Sequence, residues 1–190
     1  MIDKKTLRKK YKNIRDKIKL SVKLDAEEKI SQSVFGFKEV ENAKSVFIYL
    51  GFRSEVLTDK IIGEFMQRGI QIFVPKIYGE EMRAVKFVPP FITNGYGIVE
   101  PQTDETAKEI DVVITPMLAF DEGLYRLGYG KGYYDKYFQG QGKNAFKIGL
   151  AFEVQKAKTV LSLEHDVTLD AIITEKHIFR RDKWKLLSIY

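Results

Sequence analysis

Residues 111–138 read "DVVITPMLAFDEGLYRLGYGKGYYDKYF", and this stretch decides the fold. Its opening, "DVVITP" (111–116), is a short continuous apolar run, the pattern of a strand covered on both faces. Its end, "KGYYDKYF" (131–138), has helical character, and Gly128, Gly130 and Gly132 lie between the two. A strand, a glycine-rich loop and a helix in that order belong to α/β architecture. In such sheets ligands sit beyond the carboxyl ends of the strands, where loops lead into helices.

The same alternation extends outward. Residues 3–19 predict an amphipathic helix, with Leu7, Tyr11, Ile14 and Ile18 on one face and Asp3 placed to cap its start. A second helix is expected at about 25–37, with Ala26, Ile30, Val34 and Phe37 on one face. "SVFIYL" (45–50) reads as a buried strand, followed by a helix from Thr58 and Asp59 that Gly69 closes. Further strands are predicted at 70–76, 84–88, 146–152 and 169–174. Val88-Pro89-Pro90 and Asn94-Gly95 mark a loop inside one unit, with no linker that would split the chain. The expectation is a single α/β domain over 1–190, a mostly parallel sheet flanked by helices on both faces.

Composition narrows the function classes. A chain that is 44% hydrophobic, with 13 phenylalanines and 10 tyrosines, has the material for a core and is not disordered. No apolar run approaches the ~20 residues of a membrane span, so no membrane partner is expected. The basic start, "MIDKKTLRKKYKNIRDK", lacks the apolar stretch of a secretory signal. There is no cysteine, hence neither a disulfide framework nor a thiolate metal site, and a cytoplasmic location is expected. The charge of +6 suits polyanionic ligands, either nucleic acid or small phosphorylated or polycarboxylate molecules. A solvated, lysine-rich helix face is the simpler account of the charge total. No recognition helix, aromatic RNA-binding pattern or zinc spacing is present, so nucleic acid is not expected as a partner.

Glycine takes positive φ at no steric cost and lets backbone N–H groups converge on an anion. Arg126 and Lys131 would add two mobile cations for phosphate oxygens, and Asp135 could hold Mg²⁺. The spacing fits neither common nucleotide motif: Lys131 is followed by Gly132 rather than Ser or Thr, and the run is GxGxG rather than GxGxxG. On pattern alone, a tight glycine turn with core tyrosines remains open beside the phosphate cradle.

"PMLAFDEGLYRLGYGKGYYDKYF" (116–138) closely resembles the signature of the 5-formyltetrahydrofolate cyclo-ligase family, also called methenyltetrahydrofolate synthetase, whose pattern is "LAFD…RLGxGxGYYD". "KKTLRKKYKNIR", "YLGFRSEVLT" (49–58), "VPKI", "YGIVEPQ" and "HDVTLDAIITE" (165–175) follow in the family's order. One difference is that members carry a glycine two residues before the arginine. Here Leu124 stands there, with Gly123 one earlier, which leaves the turn before Arg126 open.

The resemblance implies a Rossmann-like fold related to the sugar-phosphate isomerase and CoA-transferase types. It implies ATP- and Mg²⁺-dependent conversion of a reduced folate, 5-formyltetrahydrofolate, to 5,10-methenyltetrahydrofolate. Arg126 and Lys131 become catalytic, stabilising charge on the transferred phosphoryl group. ATP would be bound by Lys4, Lys5 and Arg8 and by Arg126, Leu127, Gly128, Tyr129, Gly130, Lys131, Gly132, Tyr133 and Tyr134. The folate would meet Leu50, Phe52, Glu55 and Tyr96, together with Tyr129, Gly130, Lys131, Gly132 and Tyr133. Asp135 and Asp166 would hold Mg²⁺. Arg53 and Lys76 would be the cations nearest the glutamate tail, unranked between them. The partners are small molecules and a monomer is expected. The alternative is another phosphate-handling α/β enzyme, of the sugar-phosphate isomerase or CoA-transferase kind.

Overall fold

The computed structural model describes residues 3–93 and 99–181 and the backbone of 187–188. Its helices are α1 (Lys4–Asp16), α2 (Leu20–Val34), α3 (Lys38–Glu41), α4 (Asp59–Gln67) and α5 (Tyr133–Gln139). The first strands are β1 (Ser45–Ile48), β2 (Gln71–Tyr78), β3 (Glu81–Lys86), β4 (Phe91–Thr93), β5 (Val99–Pro101) and β6 (Val112–Thr115). They are followed by β7 (Ala119–Phe120), β8 (Arg126–Leu127), β9 (Phe146–Leu150), β10 (Ala171–Ile173), β11 (His177–Arg180) and β12 (Leu187–Ser188).

Eight strands form one sheet in the order β12-β11-β10-β9-β6-β1-β2-β3. β2, β1, β6, β9 and β10 run parallel, while β3, β11 and β12 add antiparallel margins. β6 is paired on both sides, Val112 with Val46 and Phe146, Ile114 with Ile48 and Ile148. All four of its residues are buried, as its apolar run requires.

Alternate residues of the parallel strands face two cores. Val46, Ile48, Ile72, Val74, Ile114 and Ile148 meet α2, α3 and α4 on one face. Phe47, Phe73, Val113 and Ile172 meet Tyr137 and Phe138 of α5 on the other. Leu7 and Tyr11 of α1 form a third cluster with Ala119, Leu127, Ala157 and Val160, which lays α1 along the carboxyl end of the sheet. Among the described residues no helix is long and apolar enough to cross a membrane.

The helix signals acted as written at two ends. The Asp3 carboxylate accepts from the Thr6 amide at 2.7 Å and caps α1. Gly69, at φ +71°, ends α4 while the Ile70 amide donates to Phe65 O at 3.0 Å and the Gly69 amide to Met66 O at 3.1 Å. α2 differs: it begins at Leu20, five residues before the expected start, and stops before Phe37, which opens α3. Leu20, Val22 and Leu24 are exposed, so that first turn has no buried stripe to announce it. The β4–β5 and β7–β8 hairpins were not expected either, because two- and three-residue strands carry no measurable period.

Candidate active site

The glycine loop is laid against a cation of α1. Arg8 Nε donates to Gly128 O at 3.0 Å, and its guanidinium covers Gly130, where a Cβ would lie 3.0 Å from Arg8 Cζ. Gly130 also sits at φ +96°, so an L side chain is resisted twice. Gly132, at φ +71°, is the N-cap of α5, and its carbonyl accepts from Lys136 N at 3.0 Å. Lys5 and Lys131 are exposed and hold no ion pair among the described residues, which leaves Lys131 as a free cation on the loop.

The turn before Arg126 is built by Asp121. Its Oδ1 accepts from the Gly123 and Tyr125 amides at 3.1 and 3.3 Å, and its Oδ2 from Val160 N at 3.0 Å. Leu124, at the position where the family pattern carries glycine, takes the left-handed conformation, at φ +61°. Its side chain is only 5% exposed, and packing holds the strained backbone there.

Arg126 is not a mobile cation. Its side chain is 5% exposed; Nη1 donates to Val167 O at 2.9 Å and Nη2 to Asp135 Oδ1 at 3.0 Å. Burial pulls its guanidinium below the usual value, against the charge of Asp135. Asp135 Oδ1 also accepts from Val167 N, the amide that follows Asp166, which ties the segment carrying Asp166 to α5. Asp166 Oδ2 accepts from Lys4 Nζ at 2.7 Å and from Leu163 N at 2.8 Å. Burial pushes the Asp166 carboxyl up, but the bonds from Lys4 and Leu163 prevail and leave it below the usual range.

The 49–58 loop faces the glycine loop across the end of β1. At Gly51 a Cβ would meet Val56 O at 2.6 Å, so only glycine fits that crossing. Thr58 Oγ1 accepts from Gly51 N at 3.1 Å and donates to Tyr49 O at 2.8 Å, serving the loop rather than the helix it precedes. The loop presents Glu55, 8% exposed, whose Oε2 accepts from Phe52 N at 3.1 Å and Oε1 from the Tyr129 hydroxyl at 2.8 Å. Leu50 and Phe52 are half-buried beside it, and Arg53 lies over the Phe52 ring at 4.8 Å. Lys76 is already paired with Asp104 at 2.9 Å.

Other expected residues are placed differently. Tyr133 is half-buried with its hydroxyl 3.5 Å from Gly79 O, beside an open groove also lined by Tyr78, Met82, Lys136 and Tyr137. Tyr134 stacks on Phe47 with ring centroids 6.0 Å apart, and burial pushes its hydroxyl far up. Leu127 is a core residue beneath α1. Tyr96 lies outside the described residues.

A sequence model of the 5-formyltetrahydrofolate cyclo-ligase family matches residues 1–175. The chain belongs to that family. It is 27% identical over 177 residues to the 5-formyltetrahydrofolate cyclo-ligase of Haemophilus influenzae, covering 88% of this chain and 95% of the relative. The solved 5,10-methenyltetrahydrofolate synthetase of Aquifex aeolicus superposes with a TM-score of 0.83 at 27% identity, over 98% of this chain and 97% of that one. That of Mycoplasma pneumoniae gives 0.75 at 27% identity, over 92% and 100%. These relatives share one activity name, and nothing among them favours the isomerase or CoA-transferase alternative.

The cyclo-ligase chain offers a hard cation two carboxylates, Asp135 and Asp166, linked through the Val167 amide. Asp135 Oδ2 has no hydrogen-bond partner among the described residues, while Asp166 Oδ1 has only His165 Nε2 near it, at 3.9 Å. No group of three or more metal-ligating side chains suited to a metal occurs among them. Two carboxylates completed by water and phosphate oxygens are the set Mg²⁺ accepts, so the donors fit it.

One residue the sequence reading passed over stands at the centre of the site. Arg15 is 3% exposed, with Nε donating to Ser54 Oγ at 3.1 Å, Nη1 to Met117 O at 3.1 Å and Nη2 to the Tyr129 hydroxyl at 2.7 Å. The signal was available: Arg15 follows Leu7 and Tyr11 at successive four-residue steps, which puts a charge on the buried face of α1.

Proposed function

We propose that this chain closes 5-formyltetrahydrofolate to 5,10-methenyltetrahydrofolate, consuming ATP and releasing ADP and phosphate. One observation carries the reading: a glycine loop with free and bound cations is joined through Tyr129 to a buried glutamate, so a phosphate cradle and a ring-reading carboxylate share one cleft.

A formyl amide resists attack because the N5 lone pair is delocalised into its carbonyl. The formyl oxygen attacks the γ-phosphorus of ATP and ADP departs. N10 then adds to the formyl carbon, loses its proton, and phosphate leaves with the C–O bonding pair. The protein's part is positioning and charge neutralisation. Amides of residues 128–132 and the Lys131 ammonium receive the triphosphate, with Lys4 and Arg8 on its other side. The buried Arg126 holds Asp135 in place and so acts as a positioning residue. Mg²⁺, held by Asp135 and Asp166, would neutralise phosphate charge. Glu55 accepts from the amino-pyrimidine edge of the pterin, and Leu50 and Phe52 flank the ring. We take the enzyme to act as a monomer, and the cysteine-free sequence suits a cytoplasmic location.

The test follows the near-ultraviolet absorption of the methenyl product with 5-formyltetrahydrofolate, ATP and Mg²⁺. Product should form only with nucleotide present and be lost in Asp135→Ala. Product formed without ATP would refute the proposal.

A further inference from the structure

We propose that Arg15 is a positioning residue for folate recognition: by donating to the Tyr129 hydroxyl it aims that hydroxyl at Glu55, presets the carboxylate for a paired N–H donor, and ties it to the glycine loop. The inference rests on the proposed function in taking Glu55 as the group that reads the pterin edge.

Donor chemistry fixes the direction of the chain of bonds. A guanidinium only donates and a carboxylate only accepts. Tyr129, between them at 2.7 and 2.8 Å, must therefore accept from Arg15 and donate to Glu55. Burial, and then the Glu55 charge, push the Tyr129 hydroxyl up to about 12, so its proton is retained at neutral pH. Glu55 Oε1 thus holds one donor, from Tyr129, and Oε2 holds one, from Phe52 N. Each oxygen keeps a second lone pair. Two adjacent acceptors so prepared match the parallel ring N–H and exocyclic amine of an aminopyrimidinone.

Arg15 itself cannot drift. Two of its other donors are taken by Ser54 Oγ and by Met117 O, which also receives Gln155 Nε2 at 2.8 Å. Ser54 in turn donates to Asp16, so the residue before Glu55 is tied back to α1. A lysine, with a single ammonium, cannot reproduce this planar three-way contact. Tyr129 occupies an unspecified position of the RLGxGxGYYD pattern, so this bridge is built from the chain's own choice of residue. Because Tyr129 belongs to the glycine loop, folate and nucleotide should feel each other's binding, and to the same factor in both directions.

The experiment measures binding of 5-formyltetrahydrofolate and of a non-hydrolysable ATP analogue by calorimetry, each alone and in the presence of the other. Wild-type protein should bind each ligand more tightly when the other is present. Tyr129→Phe, which removes one hydrogen bond to a charged group, should weaken folate binding about tenfold and bring the coupling between the ligands close to one. Its melting temperature should fall by about 2–12 °C with folding still cooperative, because the buried Arg15 and Glu55 each lose the hydroxyl as a partner while the ring keeps its place. Arg15→Lys should show the same loss of folate affinity and coupling. In turnover, KM for the folate should rise more than kcat falls in both variants. Unchanged folate affinity and coupling in Tyr129→Phe, beside a Glu55→Gln protein that binds folate poorly, would overturn the relay and leave the Glu55 reading standing. Glu55→Gln binding folate as wild type does would overturn both.

Discussion

Replacing Gly130 with alanine should cost the ligand-free protein about 2–4 kcal/mol, with the same change at Gly128 nearly silent. At φ +96° an L-residue is strained by about 1–3 kcal/mol. The new methyl would stand 3.0 Å from Arg8 Cζ and 3.1 Å from Nη2. The guanidinium is the far end of a flexible side chain, so it would move aside and give up its bond to Gly128 O, a loss of about 1 kcal/mol. Gly132 has the positive φ, +71°, without any close neighbour, so its alanine variant should lose about 1–2 kcal/mol. Gly128 has neither constraint, and alanine there should fall within about 0.5 kcal/mol of wild type or slightly above it through a stiffer unfolded chain. Urea unfolding followed by far-ultraviolet circular dichroism measures this, provided the slope m is unchanged. For a chain of this size the Gly130→Ala loss corresponds to a melting point lower by about 4–16 °C. Equal losses at the three positions, or the largest at Gly128, would refute the packing of Arg8 on the loop.

Other consequences are as direct. Lys131→Ala should weaken nucleotide binding without lowering stability, because the ammonium is exposed and unpaired; unchanged nucleotide affinity in a calorimeter would count against the cradle. Arg126→Met should cost about 2–4 kcal/mol, less than for a wholly buried pair because Asp135 is part-exposed, and a urea midpoint equal to wild type would sink the ion pair as a support. Leu124→Gly should relieve the strained backbone by about 1 kcal/mol yet lose more from the core, a net loss of about 2 kcal/mol; a stabilised variant would contradict the packing. Asp111 is pushed up by burial, but the Lys44 and Ser45 hydrogen bonds outweigh this and hold it below the ordinary value of 3.8. Its stabilisation is therefore complete above that value and is lost as pH falls through the depressed one. Asp111→Asn should be about 1 kcal/mol less stable than wild type at pH 7, the group being exposed, and the gap should close on acidification below about pH 4.

The parallel centre of the sheet was legible because doubly covered strands such as β6 and β9 must be apolar without interruption. Of its antiparallel margins, β3 was legible as the strand expected at 84–88, but β11 was not, since it joins the sheet through pairing with β10 rather than through any pattern of its own. The turn before Arg126 was hidden for a different reason: Leu124 adopts a backbone that its residue type disfavours, and only tertiary packing selects it. In the site, the glycines and Glu55 lay in one contiguous motif or at its matching segment. Arg15 was masked by its setting, a lysine-rich helix in which one more cation looks like solvated surface. Arg126 carried a charge that suggested reach, while its surroundings made it a fixed part of the core.

The helix α1 grips partners far along the chain: Arg8 reaches a carbonyl 120 residues later, and Lys4 a carboxylate 162 residues later. On a growing polypeptide it emerges well before the partners it grips and is among the last segments to find its berth. Assembly of the catalytic cleft is then the closing act of biogenesis, and a nascent chain paused before Asp166 has a folded sheet in prospect but no working enzyme.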